Sequence, residues 1–126
     1  MDKEASAAAV IELAKGVIVL AGNVDPDWER IYYRFELHDD SNRMNGSIVR
    51  NGEARLISSI DHGDAYDELE SLAQAVCEAT PDPDGAIPYV LLVTANSDFS
   101  YNLEFEYDNP DRWRITKLDG GTGFPQ

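Results

Sequence analysis

The chain is poor in the groups that usually reveal chemistry. It has one cysteine, two histidines and ten basic residues among 126. A single Cys77 forms no internal disulfide, so the core is expected not to depend on oxidation. His38 and His62 stand in no metal-ligand spacing, which speaks against a zinc site. No run of about 20 apolar residues is present, so no membrane span is expected. The opening Asp2-Lys3-Glu4 lacks the basic-then-apolar order of a signal peptide, which points to the cytoplasm. Internal repeats and low-complexity blocks are absent. Lys and Arg are missing altogether between Leu56 and Asp111.

What is there is acid. Twenty-four Asp and Glu set a net charge of −14. That balance argues against nucleic acid or an anionic membrane surface as a partner, because bringing polyanions together costs free energy. The chain is still 43% hydrophobic and 10% aromatic, a globular composition. At this length about two-thirds of the unfolded surface can be buried in one domain. The charge is uneven: residues 1–63 carry −4 and residues 64–126 carry −10. Solvation of scattered acids is one explanation; a surface for a basic protein partner is another.

Periodicity sets the elements. Residues 4–21 read as a helix, rich in alanine, with Val10, Leu13, Val17 and Leu20 on one stripe widened by Ile11, Ile18 and Val19. Gly22-Asn23 is a plausible stop. From Glu29 to Leu37 the chain alternates, Ile31, Tyr33, Phe35 and Leu37 against Tyr32, Arg34, Glu36 and His38, as in a half-buried strand. Residues 39–42 read as a turn. Strands over 44–50 and 54–60 flank Asn51-Gly52, a strong hairpin signal. Asp64 can cap a second helix whose stripe is Tyr66, Leu69, Ala73 and Val76, ended by Thr80-Pro81. Tyr89–Ala95 is a nearly continuous apolar run, which reads as a strand covered on both faces. Ser100–Tyr107 alternates, placing Tyr101, Leu103, Phe105 and Tyr107 opposite Asn102, Glu104, Glu106 and Asp108. Arg112–Leu118 could add a short strand, and the glycines from about residue 119 suggest a flexible tail. The expected fold is one α+β domain over 1–126 in the order α-β-β-β-α-β-β. An antiparallel sheet of about five strands carries both helices on one face and leaves the other open.

The search for chemistry is short. Cys77 lies beside the second helix's apolar stripe, where a thiol is buried and inert. Asp82-Pro83-Asp84-Gly85 starts like a calcium loop, but its proline and the missing bidentate Glu favour a turn. Gly120-Gly121-Thr122-Gly123 has no helix or Lys after it and is no phosphate cradle. No catalytic residue, cofactor site or metal site is assigned. Surface chemistry remains. Glu104, Glu106 and Asp108 form an acidic row on one strand face, and Asp67, Glu68 and Glu70 add an acidic helix face. Asp82 and Asp84 complete the acidic candidates. Tyr32 and Trp113 are the aromatic binding candidates. Trp28 reads slightly better as a staple onto the core than as a contact residue.

The leading helix, then Asp27-Trp28-Glu29-Arg30-Ile31-Tyr32-Tyr33, the hairpin, Asp67-Glu68-Leu69 and the closing Tyr101-Asn102-Leu103-Glu104-Phe105-Glu106-Tyr107-Asp108 together resemble the YezG-like immunity family of bacterial toxin systems. The resemblance covers most of residues 5–110. The loop at 81–88 and the chain from Arg112 onward depart from it. It implies a cytoplasmic antitoxin, not an enzyme, that binds and neutralises a cognate basic toxin domain, often a nuclease. When free, it would be a monomer or weak dimer. An acidic surface suits that role, since a nuclease site is cationic. On this reading, charge reversal at Glu104 and Glu106 weakens the complex without unfolding the protein. Two other readings stay open: a small acidic type III secretion chaperone binding an effector segment, and a hydrolase built on a carboxylate pair.

Overall fold

The computed structural model describes residues 3–37, 41–58, 61–117 and 120–126. His38, the turn at 39–40, the end of the third strand candidate at 59–60 and the junction at 118–119 lie outside the described residues. Among those described, the order is α1 (Lys3–Val24), β1 (Arg30–Glu36), β2 (Arg43–Arg50), β3 (Glu53–Leu56), α2 (Gly63–Glu78), β4 (Val90–Asn96) and β5 (Tyr101–Glu106). The strands form one antiparallel sheet in the order β3-β2-β1-β4-β5. This is the expected α+β fold.

Cross-strand partners share a face, so the register assigns every side chain. Ile31, Tyr33 and Phe35 of β1 align with Ile48, Gly46 and Met44 of β2 and with Ala95, Val93 and Leu91 of β4. Against this face pack Leu13, Val17, Leu20 and Ala21 of α1 and Tyr66, Leu69, Ala73, Val76 and Cys77 of α2, forming one core. Trp28 is buried in it, as the staple reading expects. Asn51 and Gly52 both take positive φ, 55° and 77°, which matches the twist of the β2–β3 hairpin.

Local details depart from the sequence reading. Helix α1 runs through Gly22-Asn23 to Val24, and Asp25 N still donates to Ala21 O at 3.0 Å. Glycine in an exposed last turn costs only about 1 kcal/mol, too little to end the helix. Asp64 does not cap α2. His62 holds that position without a side-chain hydrogen bond, and Asp64 sits in the first turn, near the helix's positive end. Strand β3 stops at Leu56, after which Ile57 turns inward and is buried. Arg112–Lys117 is turn and coil, not a strand.

The largest correction concerns the second sheet face, which is not open. The segment after β5 crosses it. Arg34, on that face, is 4% exposed and donates from Nε to Arg112 O at 2.9 Å and from Nη2 to Pro110 O at 2.8 Å. Asn45 Nδ2 donates to Ile115 O at 2.8 Å, and Ile115 is buried. Phe124 meets Tyr32 edge to face. The glycine-rich end is tied back as well: Gly123 N donates to Thr116 O, Trp113 N to Gln126 O and Gln126 N to Arg114 O. The described C-terminal residues thus form a strap, and Val90 and Leu92 are buried on the strap side of the sheet.

Candidate functional site

The sheet separates the acidic candidates into distinct places. Asp67 and Glu68 are exposed on α2, in the helix layer. Glu70, half-buried there, accepts from Asn42 Nδ2 at 3.2 Å. Glu104 and Glu106 follow the even register of β5, aligned with Leu92 and Val90, and face the strap side. The helix acids and the strand acids therefore lie on opposite sides of the sheet and form no joint surface. Asp108 is exposed beyond the end of β5. Asp82 belongs to the loop after α2. Its Oδ1 accepts from Asp84 N at 2.9 Å and Ala86 N at 2.8 Å, so its carboxylate builds the expected turn. Asp84 projects from that turn, exposed. Tyr107 joins this loop to the sheet, its hydroxyl donating to Thr80 O at 2.8 Å.

Glu106 is not available to a partner. It is 8% exposed, and Oε1 accepts from Arg112 Nη1 at 2.7 Å. Oε2 accepts from the backbone of Asp108 and Asn109. The Arg112 guanidinium, followed by those two amides, pulls its pKa down to about 2. Charge reversal here would break the root of the strap, so the expectation of a clean binding variant fails for Glu106 and survives only for Glu104. Tyr32 is half-buried under the strap and accepts from Arg30 at 3.3 Å. Trp113 is half-buried within the strap at φ 62°, with the Arg112 guanidinium 4.7 Å from its ring centroid.

Ion pairing separates the layers further. On the strap side, Arg34 pairs with Glu36, Arg112 with Glu106 and Arg114 with Asp111. At the end of the sheet Asp25 receives both Arg50 and Arg55. Helix α2 carries Asp64, Asp67, Glu68, Glu70 and Glu78 and no basic residue. Among the described residues, none of these five is in an ion pair. Asp64 and Glu68 rim a groove of about 400 Å³ between α1 and α2, with Glu12 and Lys15 across from them. Its floor holds Leu20, Leu69 and Leu72, and Gly16 lets the helices approach closely there.

A second groove, about 430 Å³, lies between α1 and the β4–β5 hairpin. Ile11, Val19, Phe99 and Tyr101 are 43%, 61%, 66% and 44% exposed around it. The signal for it is in the sequence: Ile11, Ile18 and Val19 widen the α1 stripe beyond what one sheet face can cover. The window Ala7–Val24 has mean hydropathy 1.7, enough by length and composition for a bilayer span, contrary to the sequence expectation. Its inward residues are nonetheless core: Leu13, Ala14, Val17, Leu20 and Ala21 are buried.

Acid–base and nucleophilic features are few. Burial pushes the Cys77 thiol up to about 12, the state of an inert core sulfur. Asp25, Asp98 and Glu106 are all held below the usual carboxylate range, the opposite of a general acid's need. Among the described residues, no three His, Cys, Asp or Glu converge as metal ligands would. No family model matches the chain, and no curated protein is significantly similar to it.

Proposed function

We propose that this protein is a non-catalytic immunity protein, which binds a cognate basic toxin domain, a nuclease by class, and neutralises it stoichiometrically in the cytoplasm. The observation that carries this reading is the unneutralised outer face of α2. Elsewhere the structure gives many of its buried or sheet-bound acids an arginine. Among the described residues the five carboxylates of α2 have none, and two of them, Asp64 and Glu68, rim a groove with an apolar floor. Self-repulsion along one helix is a standing cost, relieved when basic groups arrive. A cationic phosphate-binding site supplies such groups, and covering it excludes the substrate.

The test asks whether a reading frame beside this gene encodes a basic nuclease domain, and takes that domain as the toxin. The purified chain should bind it with equal stoichiometry and suppress its activity. Asp64→Lys combined with Glu68→Lys should slow association by about ten-fold or more at low salt, with the difference shrinking as salt rises. These side chains are exposed, so the variant should stay folded, losing only the roughly 0.3–1 kcal/mol that a charge in the first turn of a helix is worth. Unchanged association, or inhibition without binding, would overturn the reading.

A further inference from the structure

We propose that the free edge of β5 is a docking edge for an extended segment of the partner protein, one that alternates apolar and basic residues and joins the sheet as a sixth strand. Strand β5 ends the sheet order, and among the described residues its only sheet neighbour is β4. The hydrogen-bond phase shows which groups are left over. Asn96 N donates to Ser100 O, so the even residues of β5 bond to β4. The N–H and C=O groups of Tyr101, Leu103 and Phe105 then point outward, with no hydrogen-bond partner among the described residues. Such a row is a template for another strand.

The two faces of the edge set the chemistry of what is added. On the helix side it adjoins the α1 groove, whose exposed Val19, Phe99 and Tyr101 would cover apolar side chains. On the strap side Glu104 is exposed and unpaired with any cation among the described residues. Exposed Asp98 and Asp108 stand beyond the two ends of the strand. Residues opposite Glu104 are favoured when basic and disfavoured when acidic. A second copy of this chain would bring two such acidic edges, each on a −14 body, against each other. A basic, alternating segment meets both faces. The inference rests on the reading of the partner as a basic protein, and not on its being a toxin.

The experiment measures amide hydrogen exchange by NMR on the full chain. The probe is a short capped peptide alternating valine and arginine. At about ten times its Kd it should slow exchange at Tyr101, Leu103 and Phe105 about ten-fold. The same peptide with glutamate for arginine, or with N-methyl groups on its pairing edge, should leave the three amides unchanged. Tyr101→Pro removes one outward N–H without touching the β4 ladder and should weaken the arginine peptide about five-fold, one hydrogen bond's worth. Tyr101→Val should weaken it less. Absence of binding, equal protection by both charges, or peptide shifts confined to α2 would overturn the proposal. So would protection of the three amides in the free protein that rises with its own concentration, since a second copy would then hold the edge. The same measurement with the toxin domain separates the two readings. Toxin binding with the three amides unprotected refutes the edge alone. Peptide protection without toxin binding refutes the immunity function alone.

Discussion

Replacing Arg34 with methionine should release the C-terminal strap and cost the fold heavily. The guanidinium is buried and makes three charge-assisted contacts, to Arg112 O, Pro110 O and the Glu36 carboxylate. Methionine fills similar space and makes none of them. The Arg112 and Pro110 carbonyls lose their donor, and Glu36, whose side chain is 13% exposed, loses its guanidinium. Removing one partner of a buried pair costs about 3–5 kcal/mol. Unfolding entropy of about 2.1 cal/mol/K per residue gives roughly 0.26 kcal/mol/K for a chain of this length, so Tm should fall by about 11–19 °C. Circular dichroism melts read the loss. Limited proteolysis locates it, with cleavage expected between residues 109 and 126 while the sheet stays intact. Arg34→Met with Glu36→Leu should recover part of the loss, because the carboxylate that Arg34 neutralises is then gone too. A Tm drop under about 4 °C, near 1 kcal/mol on the same scale, would refute the view that Arg34 anchors the strap.

Other outcomes follow from the same contacts. Glu106 has its folded pKa lowered to about 2, so its contribution is fully present above the unfolded value near 4.5 and is lost as pH falls toward about 2. The urea midpoint of Glu106→Gln should therefore converge on that of the parent between about pH 5 and pH 2; a constant gap would refute the assignment. The native Cys77 thiol, with its pKa near 12, should resist a thiol reagent at pH 8 and react fully in denaturant. Rapid labelling of the folded protein would contradict its burial. Gly121→Ala should destabilise the strap by about 1–3 kcal/mol, because a Cβ there collides with the Thr116 backbone. An unchanged melt would show that the close approach at Gly121 is not needed.

The sequence by itself determined the elements and one face of the sheet. The reasons are local: a period of two along β1 and β5, a helical stripe along α2, and Asn51-Gly52 at the tight turn. Each depends on residues within a few positions of one another, so each is legible without long-range contacts. The nearly continuous apolar run of β4 likewise announced burial on both faces, though not what would cover the second. Tertiary structure alone decided that. A strap without periodicity is held by Arg34, 78 positions from Arg112 in sequence, through hydrogen bonds to backbone carbonyls that any residue could offer. No pattern of side chains encodes such a contact. The same holds for the acids. Glu104, Glu106, Asp67 and Glu68 look alike as letters. The fold puts the sheet between the two pairs and gives Glu106 to Arg112. It leaves Asp67 and Glu68 on a helix with no cation of its own.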